Sequence, residues 1–312
     1  MNVFQYIKLD REAQELLNSR LPSGVKCLEP PEDASVEQIK ELFFECEVAF
    51  GNIPADWLIS SPVIKWLQLE SVGYEPYLEV LPEFTEKGIL TNLHGFFGPA
   101  VAETALAGIL CLLRSIDQLV LLKEKSEWVG TPIRTGLSFL QRSNVLIAGG
   151  GNIGQTFKKL LAGFETHITV FDKSPEVADI TSSEELDRQL ETADIVFSCL
   201  PAGKETNCFF DRKRLERMKP EALFVNVGRG TVVEEKVLIK RLNEGKIAGA
   251  VLDVTETEPL PETHELWACP NLIITQHTGG GSRSELKGKV SVFLENLELY
   301  LAGQPLKRVV TL

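Results

Sequence analysis

Val145-Leu146-Ile147-Ala148-Gly149-Gly150-Gly151-Asn152-Ile153-Gly154, with Asp172 eighteen residues further on, is the stretch that decides the fold. An apolar β-branched run, a cluster of glycines and an amphipathic segment read as strand, tight turn and helix. Gly149 permits the turn. Gly151 lets the backbone approach a pyrophosphate, and Gly154 lets helix and strand pack closely. The helix that opens at Asn152 and Ile153 offers free N–H groups to an anion. Glycine turns alone are common, so the pattern gains its weight from Asp172. That residue ends the next strand, Ile168-Thr169-Val170-Phe171, where a carboxylate accepts hydrogen bonds from ribose hydroxyls. The full set points to a bound dinucleotide. A carboxylate repels a 2′-phosphate, which favours NAD over NADP, although Lys173 beside it weakens that preference.

Outward from this stretch the pattern repeats. Ile195-Val196-Phe197, Leu223-Phe224-Val225, Ala250-Val251-Leu252 and Leu272-Ile273-Ile274 read as further buried strands, separated by helical segments at 184–192, 211–218 and 233–244. Towards the N-terminus, Val48-Ala49-Phe50, Trp66 to Leu69 and Gly88 to Thr91 read as short strands among helices or turns at 11–19, 36–45 and 76–87. Val101 to about Lys125 reads as one long helix, too apolar to lie bare on a surface. A last amphipathic segment runs from about Gly281 to Leu301. Strands alternating with helices define an α/β fold built on mainly parallel sheet. The 312 residues suggest two domains.

Composition narrows the partners. The chain is 44% apolar and 24% charged, ordinary values for a globular protein, and its 44 acids against 32 bases give a net charge of −12. A negative long-range field disfavours nucleic acid and anionic membranes, though not a small anion in a local basic pocket. The cysteines at 27, 46, 111, 199, 208 and 269 form no CxxC pair, so neither a zinc site nor a disulfide framework is expected. The first residues, MNVFQYIKLD, do not read as a secretory signal, and the longest apolar run, Ala105 to Leu113, is too short to span a bilayer. The expected location is the cytoplasm.

Three ionisable residues fall near strand ends of the same region, where open α/β sheets bind ligands. Arg229 follows Val225-Asn226-Val227-Gly228, Glu258 lies in Thr257-Glu258-Pro259, and His277 ends Ile273-Ile274-Thr275-Gln276-His277. An arginine grips a carboxylate with two parallel hydrogen bonds. A histidine transfers protons near neutral pH, and a neighbouring glutamate orients its ring. Singly, each has an ordinary structural explanation; together, after a dinucleotide fingerprint, they suggest a catalytic group.

These residues resemble the D-isomer-specific 2-hydroxyacid dehydrogenases. The resemblance is carried by Ile247-Ala248-Gly249-Ala250-Val251-Leu252-Asp253-Val254 with Glu258-Pro259, by Asn226-Val227-Gly228-Arg229-Gly230, by Leu200-Pro201 with Thr206, and by Gly95 followed by Val101-Ala102-Glu103. It runs from about Val48 to Val310. It implies a Rossmann-type doubly wound parallel sheet, residues 100–283, inserted into a smaller flavodoxin-like α/β substrate domain, residues 1–99 with 284–312. It also implies a substrate cleft closed by hinge motion, and a homodimer supported by the helix from Val101. Arg229, Glu258 and His277 would be catalytic, with His277 protonating the forming alkoxide and Glu258 holding it charged and aligned. Leu200, Pro201, Thr206, Val227, Gly228 and Asp253 would join the glycine turn in holding NAD. The N–H groups of the Ser71-Val72-Gly73 loop would bind the substrate carboxylate together with Arg229 and His277. No metal is implied.

The chain departs from the family pattern at Gln276, where proline usually precedes the catalytic histidine, and at Glu75, where aspartate is common. The third glycine at 149–151 suggests a more flexible turn than usual. The first hundred residues hold only two arginines, Arg11 and Arg20, which argues against a phosphorylated substrate. His94, Tyr74, Phe96 and Phe97 could line the cleft or simply pack at the hinge, and Trp267 could lie near the site or cover a domain edge. The expected activity is interconversion of a 2-oxo acid, such as glyoxylate or hydroxypyruvate, with a D-2-hydroxy acid. A bulkier apolar oxo acid is the next choice for substrate. The alternative is a non-catalytic NAD(H)-sensing interaction protein on the same fold.

Overall fold

The computed structural model describes residues 1–311; Leu312 lies outside the described residues. The chain divides into two compact units, Met1–Phe96 with Ser282–Leu312, and Phe97–Gly281.

The first unit runs β1 (Asn2–Gln5), α1 (Arg11–Arg20), β2 (Lys26–Leu28), α2 (Val36–Phe44), β3 (Val48–Phe50), α3 (Ala55–Ser60), β4 (Trp66–Gln68), α4 (Leu81–Phe84) and β5 (Ile89–Thr91). Its five strands are parallel in the order β2-β1-β3-β4-β5, the flavodoxin-like winding. Local chemistry sets the helix starts. The Asp10 carboxylate accepts the Ala13 N–H at 2.8 Å, and Ser35 and Gln38 form a reciprocal capping box ahead of α2. The sequence reading missed β1 and β2. Lys26-Cys27-Leu28 is three residues long and only part-buried, too short to show a period.

The second unit runs α5 (Gly98–Leu113), α6 (Ile116–Glu124), α7 (Thr131–Arg134), β6 (Asn144–Ala148), α8 (Asn152–Leu160), β7 (His167–Phe171), α9 (Ser183–Leu190), β8 (Ile195–Ser198), α10 (Arg212–Arg217), β9 (Leu223–Asn226), α11 (Glu235–Asn243), β10 (Gly249–Leu252) and β11 (Leu272–Ile274). Six parallel strands lie in the order β11-β10-β9-β8-β6-β7. A further parallel bridge, Phe171 to Ile180, extends the sheet beyond β7, giving the doubly wound Rossmann order. Alternate residues of each strand feed opposite faces. Leu146, Val196 and Phe224 enter one core, and Val145, Ile147, Phe197 and Val225 the other. Burial on both faces explains why these strands read as unbroken apolar runs.

The expected long helix from Val101 to Lys125 is two helices. Ser115 adopts a left-handed φ of 50°, and α5 and α6 meet at a bend of 70°. Their environments differ. Val101, Ala102, Ala105, Gly108 and Ile109 of α5 are buried in the second unit's core, whereas α6 buries no residue. No single helix is long and apolar enough to cross a membrane.

The chain then returns to the first unit as α12 (Glu285–Leu301). Phe293 stacks on Phe50 and Trp66, at centroid distances of 4.5 and 5.4 Å. Asn296 is fully buried. Its amide donates to Gln68 Oε1 and the Lys307 carbonyl, and its oxygen accepts the Lys307 N–H. Stranding one such buried group costs roughly 1–3 kcal/mol, so this network fixes the register of α12 against β4.

Candidate active site

In the doubly wound sheet the strand order reverses between β6 and β8, and the predicted dinucleotide residues collect there. Gly149 has φ 111°, and a Cβ on it would lie 2.8 Å from Cys199 Sγ. A Cβ on Gly154 would lie 2.0 Å from the Gly149 carbonyl oxygen. Both positions therefore exclude side chains for reasons internal to the fold. Gly151 differs, because a Cβ there meets nothing within 4 Å. Space thus opens above it, at the start of α8, which no side chain caps. This geometry fits a pyrophosphate approaching the backbone and the N–H groups of Asn152 and Ile153.

The middle glycine is pinned rather than loose, contrary to the expectation of a flexible turn. Gly150 donates its N–H to Asp172 Oδ2 at 2.7 Å, and a Cβ on it would collide with Val177 at 2.8 Å. Asp172 Oδ1 accepts the Ser174 N–H at 2.9 Å. The carboxylate so fixed retains lone pairs for a diol. Burial pushes the neighbouring Cys199 thiol up to about 12, and Cys27 and Cys46 to about 12 and 11. These thiols stay protonated at neutral pH and serve as packing.

On the far side of the reversal, Leu200 is buried, and Thr206 Oγ1 donates to the Pro201 carbonyl at 2.6 Å, closing the 201–206 loop. Val227 is buried at the end of β9. Gly228 and Gly230 have no room for a Cβ, which would lie 2.3 Å from the Leu200 oxygen and 1.9 Å from the Thr255 oxygen respectively. These contacts hold the backbone around Arg229, whose own carbonyl accepts from the Asn226 amide.

His277 and Glu258 come together as the sequence suggested. His277 Nδ1 lies 2.7 Å from Glu258 Oε2. A carboxylate only accepts, so Nδ1 carries the proton and Nε2 is the ring atom left for chemistry. Glu258 Oε1 accepts the Thr255 N–H at 3.0 Å. Gln276 and His277 are consecutive left-handed residues, with φ 52° and 56°. Proline, locked near −65°, could not occupy position 276 in this turn. Asp253 holds the turn together. It is buried, its Oδ1 accepts from the Thr275 hydroxyl and the Gly279 N–H, and its carbonyl accepts the His277 N–H at 2.6 Å.

Several residues here escaped the sequence reading. Buried Glu235 of α11 accepts the Glu256 N–H at 3.0 Å and reaches His264 Nε2 at 3.3 Å, clamping both ends of the loop that carries Glu258. A cavity of about 400 Å³ beside the pair is lined by Thr255, Leu260, Ile274 and Gln276 as well. Trp267, half-exposed, forms another wall and donates to the Pro261 carbonyl, so it belongs to this cavity.

In the first unit the Ser71-Val72-Gly73 loop has its carbonyls occupied. Ser71 O accepts from Leu93 N–H, Val72 O from the Asn92 amide and Gly73 O from the Ser71 hydroxyl. Among the described residues the N–H groups of Val72 and Gly73 have no hydrogen-bond partner, a donor pair suited to an anion. Tyr74 packs against this unit's core and His94 is exposed. Phe97 packs against the second unit's core, and Phe96 leaves no room for a Cβ on Gly288. The shortage of arginines argued from the first hundred positions is eased for the unit, because Arg283 and Arg308 join it from the returning segment, with Lys287, Lys289 and Lys307.

The site is that of a nicotinamide-dependent oxidoreductase, and comparison with known proteins agrees. Residues 106–279 match the family model of the D-isomer specific 2-hydroxyacid dehydrogenase NAD-binding domain. A glyoxylate reductase of Thermococcus litoralis is 30% identical over 88% of this chain and 85% of its own length. A glyoxylate/hydroxypyruvate reductase B of Escherichia fergusonii is 30% identical over 86% of each. A family protein of Aeromonas salmonicida superposes with a TM-score of 0.84 at 28% identity, covering 99% of this chain and 98% of that one. The chain belongs to the D-isomer-specific 2-hydroxyacid dehydrogenase family. It is an NAD-dependent 2-hydroxyacid oxidoreductase.

Proposed function

We propose that the protein reduces a small 2-oxo acid, glyoxylate or hydroxypyruvate, to the corresponding 2-hydroxy acid. The observation that carries this is the 2.7 Å contact of His277 Nδ1 with Glu258, which leaves Nε2 as the ring atom to carry the transferable proton of the imidazolium. NADH, when bound, supplies a hydride to the carbonyl carbon. Gly149, Gly151, Asn152, Ile153, Gly154 and Asp172 hold the pyrophosphate and ribose, and Leu200, Pro201, Thr206, Val227, Gly228 and Asp253 complete the cofactor site. His277 delivers the proton to the carbonyl oxygen, and Glu258 compensates the imidazolium charge. Arg229 grips the carboxylate and polarises the carbonyl. In the first unit, the Val72 and Gly73 N–H groups are the donors for a substrate carboxylate. Relatives named for glyoxylate and hydroxypyruvate support the small-acid reading.

The test is oxidation of NADH and NADPH, followed by absorbance, against glyoxylate, hydroxypyruvate, phosphohydroxypyruvate, pyruvate and branched or aromatic oxo acids. Turnover confined to a bulky member would overturn the small-acid assignment. Asp172→Ala removes the charge that repels a 2′-phosphate. The NADH-to-NADPH ratio of kcat/KM is expected to fall by about tenfold or more, with NADH affinity also weakened because Gly150 loses its acceptor.

The protein acts as a homodimer in a reducing compartment, the cytoplasm. All six cysteines are free thiols. Leu121, Trp128 and Phe139 are 62%, 98% and 74% exposed, apolar surface that a second copy would cover. Sedimentation of wild type is expected to show a dimer, and Leu121→Glu with Trp128→Ser a monomer; a monomeric wild type would refute it.

A further inference from the structure

Lys289 is a buried cation in the first unit, its side chain 10% exposed, and no motif points to it. Its ammonium lies 2.8 Å from Glu285 one turn back on α12 and 3.6 Å from Glu70, the residue before Ser71. Glu70 donates its own N–H to the Asn52 side chain, which also accepts from the Ser71 hydroxyl, so Glu70 is joined to the loop whose Val72 and Gly73 N–H groups have no partner among the described residues. Two carboxylates beside an anion-binding loop would repel the anion. One ammonium between them reduces their sum to a single negative charge.

We propose that Lys289 is an electrostatic positioning residue for substrate, screening Glu70 and Glu285 so that the Val72–Gly73 loop accepts an anionic 2-oxo acid. This rests on the reading of that loop as the carboxylate site. Lys289 touches neither substrate nor cofactor in this role. It acts on ground state and transition state alike, since the carboxylate is charged in both, so its loss belongs in KM.

Lys289→Met is expected to raise KM for glyoxylate on the order of tenfold, with kcat within about twofold and NADH affinity unchanged. Lys289→Arg should retain a low KM. Glu70→Gln with Glu285→Gln, which removes the repelling charges while keeping hydrogen-bonding groups, should lower KM below wild type and supplies the answer if Lys289→Met does not fold. Oxamate, a non-reducible analogue, titrated calorimetrically into NADH-loaded protein, should follow the same order without turnover. An unchanged KM in the double glutamine variant, or a parallel fall of kcat and melting temperature with no change in oxamate affinity in Lys289→Met, overturns the proposal. A wild type that binds oxamate in a Lys289-dependent way yet reduces no oxo acid would defeat the small-acid reading and leave the charge role standing. A wild type that binds no oxamate defeats both.

Discussion

His277→Gln is expected to lower kcat by about 10²–10⁴-fold while leaving the dissociation constant of NADH nearly unchanged. Glutamine keeps a hydrogen-bonding group of similar reach but cannot release a proton to a forming alkoxide. Among the described residues the ring's hydrogen-bond partner is Glu258, and the side chain is half-exposed, so the substitution removes little packing from a core. Steady-state rates with NADH binding measured by fluorescence separate the two quantities. A variant within about tenfold of wild-type kcat would remove His277 from the proton-transfer role.

Gly230→Ala is expected to be nearly as damaging, through geometry alone. The added Cβ would lie 1.9 Å from the Thr255 carbonyl oxygen and 2.0 Å from its carbon, both backbone atoms with no rotamer to escape into. The segments after β9 and β10 must separate. Those segments carry Arg229 and Thr255, and the Thr255 N–H anchors Glu258 at 3.0 Å. We expect a loss of about 1–3 kcal/mol in stability from overpacking, and a fall of at least about 10²-fold in kcat/KM as the two charged groups lose register. Urea titration and kinetics on the same preparation test both. Unchanged kcat/KM would mean that the contact between the two segments does not position the site.

Much of the second unit was legible because its chemistry is written locally. A parallel sheet buried on both faces demands continuous apolar strands, and a dinucleotide turn demands glycines where the backbone closes on itself, as at Gly149 and Gly154. The dyad was legible because both partners sit at strand ends. What the sequence hid depends on distance along the chain. Lys289 meets Glu70 across 219 positions, and Asn296 meets Gln68 across 228. Neither contact leaves a periodic trace. The break at Ser115 was hidden for another reason. Serine has no special left-handed preference, and both flanks have helical composition, so tertiary burial of α5 decides where the helix stops. Position 276 was read as a missing proline. The backbone shows a different requirement, two successive left-handed residues held by Asp253.

The return of α12 to the first unit sets an order on synthesis. Val3, Val48, Phe50 and Trp66 line a sheet face whose cover is Val290, Phe293, Leu294 and Leu297. While the ribosome makes the intervening unit, that face has only Ala13 and Leu17 of α1 to pack against from its own side of the chain. The larger unit, continuous from Phe97 to Gly281, can close as soon as it emerges, whereas the unit begun first is completed last. During that interval the nascent chain carries an apolar sheet covered only in part and with two edge strands, the state in which a chaperone has most to hold and a neighbouring nascent copy most to bind.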